Sequence, residues 1–447
     1  MIVMKFGGSS VADADRIQHI TKIIKTQLDE KPAVVLSAMG DTTDHLLEAA
    51  DKALYEGAVE TSEIKKLHND TIKELNLQQS AGDEVNALLN ELTRLLSGIA
   101  LIKELTPKTR DFLVSFGERL SVRIAAACLQ AAGINAKAVD AWDCGFLTNS
   151  SYGSAELLKE SWELIPKKIL PLIKSGVLPV ITGFIGKDER GCVTTLGRGG
   201  SDLSATMIAA ACHAKEVQVW KDVDGILTAD PRIVEKARPV KSVTYEEAAE
   251  LAYYGAQVLH PRAMQPCMKT GTPVLVKNSY NINAPGTRIE NVVKTDNNNR
   301  KLPPVHAITT RRGVTLIDIV STRMLGQYGF LNEVFLVFAK NNVSIDMVAT
   351  SEVSVSLTLD SSNELEDVKN ELGKFADVEV KTGKAIVSII GNVSRSSEIL
   401  ARTFRICQGI GVTVQMVSHG ASKVNISFIV NDDEAVEVVN SLHVEFF

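Results

Sequence analysis

A chain of 447 residues has room for two to four domains at roughly 150 residues each, and 45% apolar with 23% charged residues excludes the disordered, collagenous and small disulfide-stapled classes. Lys and Arg number 48 against 54 Asp and Glu, a net charge of −6, so no global basic field recruits nucleic acid or an anionic membrane. An anionic ligand has to be captured by local positive charge. Met1 to Gly8 reach a lysine and two glycines too soon for a signal-peptide core, and no later stretch attains ~18 uninterrupted apolar residues; the expectation is a cytoplasmic protein with no membrane or nucleic-acid partner. Six cysteines form no C-x-x-C pair and eight histidines no H-E-x-x-H. Free thiols are therefore expected, with no residue assigned to a metal.

In chain order, Ile2-Val3-Met4 predicts a strand that meets Gly7-Gly8-Ser9-Ser10 and then a helix from about Ala14 to Leu28. Glycines at a strand end let backbone N–H groups approach an anion, the helix N-terminus adds about half a positive charge, and Lys5 supplies a full one. The turn is neither a Walker motif nor a G-x-G-x-x-G, and an ordinary Gly-Gly turn beside a solvated lysine has the same wording. A second strand and glycine turn is read in Ala33 to Gly40. From about Ser62 to Leu105, Leu and Ile at three- and four-residue spacing predict a helical hairpin. Ser115 and Glu118 have the spacing of a capping box opening a helix that runs to Gly133; Glu118 is equally suited to receive a substrate ammonium. Val177 to Ile185 and Val217 to Trp220 read as further strands, and strands rich in Val, Ile and Leu alternating with helices predict a parallel sheet covered on both faces.

Thr194 to Asp202 (T-T-L-G-R-G-G-S-D) is a second glycine-rich helix entry, with the planar fork of Arg198 suited to carboxylate or phosphate and Ser201 or Asp202 available as an N-cap. Two such entries in one α/β domain suit two anionic ligands brought together, as phosphoryl transfer to an acidic acceptor requires. Lys221 and Arg232, flanking Asp222-Val-Asp-Gly, suit nucleotide phosphates. At Lys294 to Val305 an Asn run and a double proline break both periodicities, predicting a linker. Beyond it lies an internal repeat at an offset of 69: Phe335 matches Phe404, and Ser344 to Val348 matches Thr413 to Val417. Each copy reads as strand, helix (330–341; 399–409), strand, turn and strand.

K-F-G-G-S-S-V, S-F-G-E-R-L-S at 115–121, T-T-L-G-R-G-G-S-D at 194–202, D-V-D-G-I-L-T-A-D-P-R at 222–232 and G-A-Q-V-L-H-P at 255–261 together closely resemble the aspartate kinase family, in its monofunctional, lysine-sensitive form, over essentially the whole chain. The resemblance implies an amino-acid-kinase (carbamate-kinase-like) three-layer sandwich with a mainly parallel sheet over 1–293, a linker at 294–305, and two ferredoxin-like ACT domains at 306–383 and 384–447, which in this family can interleave. It implies transfer of the ATP γ-phosphate to the side-chain carboxylate of L-aspartate, giving 4-phospho-L-aspartate, the first step toward lysine, threonine and methionine. Mg²⁺ would be bound mainly through the phosphates. Residue by residue, Lys5 would contact the transferring phosphate with Gly7, Gly8 and Ser9 lining its cradle; Thr43, Glu118, Arg198, Gly199, Gly200 and Ser201 would hold aspartate; and Asp202 would orient Lys5. Lys221, Asp222, Leu227, Arg232, Gln257 and Val258 would face ATP, with Gln257 standing where several family members have lysine and Leu227 where an aromatic can lie near adenine.

In the repeat, the resemblance implies an amino-acid effector, L-lysine, bound by Met324, Gln327, Phe330, Leu331, Ile345, Asp346, Ser351 and Glu352, with Asp346 and Glu352 meeting its ammonium groups, at an interface that makes a homodimer and can pair dimers into tetramers. Core roles for Met324, Phe330 and Leu331 are the alternative on residue types alone. A threonine-inhibited aspartate kinase, another ACT-regulated amino-acid kinase and a catalytically dead amino-acid sensor are the competing readings; the presence of Lys5, Arg198 and Asp202 argues against the last.

Overall fold

The computed structural model describes residues 1–253, 259–291, 303–321, 328–360 and 364–447. These fall into two compact units, and the division does not follow a single cut: 1–226, 241–245 and 258–293 form the first, while 227–240 and 246–257 group with 294–447 in the second.

In the first unit β1 (Val3–Phe6) meets a short 3-10 turn at Gly8–Val11 and then α1 (Ala14–Lys25), whose N-cap Asp13 accepts the Arg16 N–H at 2.8 Å. There follow β2 (Ala33–Leu36), α2 (Thr42–Asp51), α3 (Ser62–Glu74), α4 (Gln79–Ile102), α5 (Pro107–Ala131), β3 (Ala136–Val139), β4 (Leu147–Thr148), α6 (Ser161–Lys174), β5 (Leu178–Thr182), β6 (Ile185–Asp188), β7 (Val193–Thr195), α7 (Gly200–Ala211), β8 (Val217–Lys221), β9 (Ser242–Thr244), α8 (Tyr245–Tyr253), which runs on into the second unit, α9 (Pro261–Thr270), β10 (Val274–Asn278) and β11 (Thr287–Glu290). The main sheet has the order β3-β5-β2-β1-β8-β10-β11-β9. Its first six strands are parallel, and β11 turns back antiparallel to β10. The strands are continuous apolar runs because both faces are covered: Met4, Phe6, Val34 and Leu36 pack with the leucines and isoleucines of α1, α2, α4 and α5, while Val3, Val35 and Val219 are equally buried on the opposite face. A small sheet, β4-β6-β7, stands beside it.

The expected hairpin is α3 and α4. By length and hydropathy α4 is long and apolar enough to cross a membrane, but here Val85, Leu89, Leu92, Leu96 and Ile99 belong to the core shared with α5. The capping box at Ser115 does not form. Thr106 caps the helix through its side chain, accepting the Thr109 N–H at 3.2 Å, and Pro107 fits the first turn, so α5 starts nine residues earlier and Ser115 lies in its interior, donating to the Phe112 carbonyl.

The second unit is built on one antiparallel sheet, β13-β14-β12-β15-β17-β16, from β12 (Val305–Val320), β13 (Met347–Thr350), β14 (Ser354–Asp360), β15 (Asp377–Gly391), β16 (Met416–Ser418) and β17 (Asn425–Asn431), with α10 (Phe330–Lys340), α11 (Leu365–Leu372), α12 (Ser396–Gly409) and α13 (Ala435–Phe446). The repeat is visible as two strand-helix-strand-strand copies. They share the long strands: Val314–Val320 pairs with β14, while Lys384–Ile390 of β15 pairs with β17, and the β12/β15 register shifts between Arg311 and Leu316. Each copy keeps a core of its own, one around Ile317, Val334, Phe338 and Leu357, the other around Ile389, Ile399, Phe428 and Leu442. The repeated phenylalanines Phe335 and Phe404 are 40% and 42% exposed, so the repeat preserves an outward-facing ring on each helix rather than a core position. Of the expected linker, 294–302 lies outside the described residues; β12 begins at Val305.

Candidate active site

Parallel strands end together at one edge of the sheet, and in open α/β sheets ligands bind outside those carboxyl ends. Lys5 lies at the end of β1, Ser37 just beyond β2, Phe184 just beyond β5 and Lys221 at the end of β8. A cavity of about 440 Å³ is lined by Lys5, Ser37, Thr43, Glu118, Phe184 and the whole run Gly197–Asp202. All of the residues expected to hold aspartate are thus in one place, and Lys5 and Asp202 join them.

The charges are arranged around Asp202, in the first turn of α7. Lys5 Nζ is 2.6 Å from Asp202 Oδ1 and Lys221 Nζ is 3.9 Å from Oδ2, with Lys5 and Asp202 both buried. Burial, and secondarily the neighbouring Lys5, pull the Lys221 ammonium below its ordinary pKa, against the attraction of Asp202. Glu118 reaches the cavity from the middle of α5. Its Oε1 accepts the Ala38 N–H at 3.3 Å, and its Oε2 is buried with no hydrogen-bond partner among the described residues. Desolvation pushes the Glu118 carboxyl up to about 8, opposed by that backbone bond and by Lys5. A buried carboxylate oxygen lacking a partner costs about 1–3 kcal/mol or more, which an incoming ammonium removes. Arg198 is exposed on the loop between β7 and α7.

Close approach explains the glycines. A Cβ on Gly183 would stand 2.6 Å from Ser201, and one on Gly199, whose φ is 73°, would meet the His260 Cβ at 2.6 Å. A Cβ on Gly8 would meet the Ala38 carbonyl at 3.1 Å, so the two glycine turns after β1 and β2 interlock; Gly7 sits beside the Lys5 ammonium and Ser9 is exposed on the short turn. Asp222 is exposed after β8. Leu227 bridges to Pro239, and the Arg232 guanidinium is occupied by Asp230 at 2.7 Å, both in the second unit. Gln257 and Val258 lie outside the described residues.

In the second unit Phe330 is core, edge-on to Phe375 at 5.9 Å, while Leu331 is 39% exposed. Ser351 Oγ takes the Ser354 N–H and Glu352 is exposed; Ile345 is half-buried. Asp346 is already engaged: Oδ1 accepts from the Tyr253 hydroxyl at 2.6 Å and lies 3.2 Å from Arg311, while Oδ2 is buried without a partner among the described residues. Met324 and Gln327 lie outside the described residues.

Residues the motifs did not single out complete the cavity. Ser37 and Phe184 follow strands directly, a signal readable in hindsight from the Ile181-Thr182-Gly183-Phe184 turn. The supports of the 194–202 loop carry no local signal: Arg262 donates to the Leu196 and Ala155 carbonyls at 3.3 and 2.9 Å, and Asp111 bonds to Thr195 and Gly153.

Residues 1–278 match the amino acid kinase family, and 317–372 with 387–446 match the ACT domain. Aspartokinase 1, chloroplastic, of Arabidopsis thaliana is 50% identical over all of this chain and 80% of its own length; lysine-sensitive aspartokinase 3 of Escherichia coli is 36% identical over all of this chain and 99% of its own. The E. coli aspartokinase III structure in complex with lysine and aspartate (T-state) superposes with a TM-score of 0.82 at 35% identity, covering 100% of this chain and 99% of that one; the complex with aspartate and ADP (R-state) gives 0.79 at 34%, covering both chains fully. A mainly parallel kinase sheet, a C-terminal pair of ACT modules and full-length identity of this order agree: the chain belongs to the aspartokinase family, ATP-dependent kinases that phosphorylate aspartate.

Proposed function

We propose that the cavity at the carboxyl ends of β1, β2, β5 and β8 is the phosphoryl-transfer site, with Glu118 receiving the aspartate ammonium, Arg198 and the Gly199–Ser201 turn its α-carboxylate, Thr43 its flank, and Lys5 the transferring phosphate. The observation that carries this reading is the convergence of Lys5, Glu118, Arg198 and Asp202 on one cavity, with a buried Glu118 oxygen still lacking a partner. The side-chain carboxylate of aspartate is ionised at neutral pH, so attack on phosphorus needs no general base. The barrier lies in bringing two anions together and in stabilising charge on the transferred group. Lys5 and Lys221 share Asp202, which fixes both ammonium groups without neutralising both. Gly7, Gly8 and Ser9 line the phosphate path; Asp222, Leu227, Arg232, Gln257 and Val258 serve the nucleotide.

Among the described residues no three His, Cys, Asp or Glu groups converge on a cation site. Mg²⁺ carried on the phosphates would take only one or two carboxylates from a protein, and Asp202, in the cavity wall, would offer one. Bound there, it supplies countercharge to the phosphates. The six free thiols fit a reducing compartment, of which the cytoplasm and the chloroplast of the plant relatives are both examples.

The ACT pair is proposed to bind L-lysine at a homodimer interface, by way of Met324, Gln327, Phe330, Leu331, Ile345, Asp346, Ser351 and Glu352. Because Asp346 Oδ1 is held by Tyr253 and Arg311 while Oδ2 has no partner among the described residues, an effector ammonium drawn to Oδ1 would displace one of them, making binding there and a change of partners one event. Coupled-enzyme assays of the purified protein test both parts. Glu118→Gln and Arg198→Ala are expected to raise KM for aspartate at least tenfold, and lysine to inhibit where threonine and methionine do not; unchanged KM values, or inhibition by threonine alone, overturn the respective assignment.

A further inference from the structure

The end of β10 holds three consecutive residues that carry no role in the chemistry assigned so far, Asn278, Ser279 and Tyr280. In the main sheet β1, β8 and β10 lie side by side, and the backbone ladders that align them stop at Phe6 opposite Trp220 and at Lys221 opposite Asn278. The groups proposed to handle phosphate here, Gly7, Gly8 and Ser9 after β1 and Lys221 with Asp222 after it, stand at or past that point. Chain beyond a strand end keeps its place only by contacts of its own.

Ser279 supplies such contacts. It is buried, at 2% exposure, and so is Ser10, at 1%. The N–H and the hydroxyl of Ser279 both donate to the Lys221 carbonyl, at 2.7 and 2.9 Å, filling both lone pairs of that oxygen. With the Ser279 proton committed there, the Ser10 hydroxyl, 3.0 Å away, is the donor between the two side chains. Because β8 lies between β1 and β10, this hydroxyl pair spans the end of β8 and ties the glycine turn to the far strand. The Ser279 carbonyl takes the Nε2–H of His19, on α1, at 2.5 Å. On either side of Ser279, Asn278 Nδ2 donates to Asp224 at 2.7 Å, and the Tyr280 hydroxyl reaches the Ser9 carbonyl at 3.4 Å while its ring lies 3.8 Å from the Arg16 guanidinium.

We propose that Ser279 is a positioning residue: with Ser10 it fixes the glycine turn after β1 to the backbone of Lys221, and so sets how the phosphates of the nucleotide are presented to Lys5 and Lys221. The proposal rests on the assignment of that turn and of Lys221 to the phosphates of ATP, and deepens it. The two ammonium groups already share Asp202; the serine pair joins the turn to the strand end that carries Lys221. Countercharge lowers a barrier only where it stands at the place charge develops, and a displacement of about 1 Å can cost about 100-fold in rate. A hydroxyl pair closed off from water, each oxygen with a defined partner, is suited to that precision.

Steady-state kinetics of the full-length enzyme, with ATP and aspartate varied separately, test this. Ser279→Ala removes one bond to Lys221 and strands the buried Ser10 hydroxyl. It is expected to raise KM for ATP about five- to tenfold and to lower kcat about tenfold, with KM for aspartate within about twofold of the parent. Ser10→Ala breaks the tie but leaves Ser279 on Lys221, and is expected to raise KM for ATP about threefold; it carries the test if Ser279→Ala does not fold. The double variant should match Ser279→Ala, because the tie is lost once either hydroxyl is gone. A merely structural role lowers kcat through loss of active enzyme and leaves both KM values at the parent's; that outcome, or single effects that multiply in the double variant, overturns the proposal. Lys221→Ala distinguishes this failure from that of the reading beneath it. If it raises KM for ATP while both serine variants keep the parent value, the tie is wrong and the phosphate assignment stands; if Lys221→Ala itself keeps the parent kcat and KM for ATP, the assignment fails and the tie with it.

Discussion

Two carboxylates invite comparison, Glu118 in the kinase unit and Asp346 in the regulatory one. Both are proposed to meet the ammonium of an amino acid, and each keeps one buried oxygen without a partner among the described residues. Glu118 otherwise takes a single backbone N–H, and its neighbours are fixed by strand ends and glycine contacts. Asp346 is gripped by a tyrosine hydroxyl and an arginine of the same unit, and that arginine is itself shared with Asp360. The first is proposed as a receptor whose charge is suppressed by burial; the second already holds two internal partners on Oδ1, which an effector drawn to that oxygen would have to displace. A preformed site binds without reorganising, whereas a site that must release internal contacts loses affinity by their worth and gains a way to signal.

The sharpest break of the comparison is at Lys5. If the kinase site is preformed electrostatics, Lys5→Ala lowers kcat about 10²–10³-fold with a much smaller change in KM for aspartate, measured in steady state; equal turnover removes Lys5 from the mechanism. Next is Asp346→Asn, expected to weaken lysine inhibition about tenfold or more, the worth of a charge-assisted hydrogen bond, with activity in the absence of lysine retained. If inhibition persists at the parent concentration, Asp346 does not meet the effector.

Glu118 gives the comparison a pH axis. Its carboxyl is raised to about 8, so below that pH it is protonated and cannot pair with an ammonium; kcat/KM for aspartate should climb up to about tenfold per unit as pH rises toward 8 and then level, and Glu118→Gln should flatten the profile. The same shift sets a stability sign. A folded pKa above the unfolded value of about 4.3 means the native state prefers the proton, so this stabilisation is complete below ~4.3 and lost as pH rises to about 8. Melting temperatures should show Glu118→Gln gaining on the parent across that window. The smallest effect is at Tyr253→Phe. Deleting one competitor for Asp346 should make lysine inhibit at a concentration about 2–10-fold lower, since a neutral hydrogen bond is worth about 0.5–1.5 kcal/mol; weaker inhibition would mean Tyr253 helps to hold the effector.

Much of the kinase unit was legible because its signals are local. Continuous Val and Ile runs between helical periods imply a parallel sheet, and glycine, lysine and arginine at strand ends and helix entries imply anion handling. The start of α5 was misplaced because two capping patterns compete nine residues apart, and Thr106-Pro107 prevails by supplying both an N-cap and a proline whose missing N–H has no cost there.

The sequence by itself determined the family, the mainly parallel kinase sheet, the repeat with its helices, and the candidate side chains for the chemistry, all of which depend on residue type and short spacing. Tertiary structure alone decided which groups are partnered. Asp111 meets Thr195 across 84 positions and Tyr253 meets Asp346 across 93, and segments 227–240 and 246–257 join the regulatory unit although they lie within the kinase sequence. No period or motif encodes such meetings, because they follow from how whole strands and helices pack, and only then is it decided which oxygens of a buried carboxylate have partners.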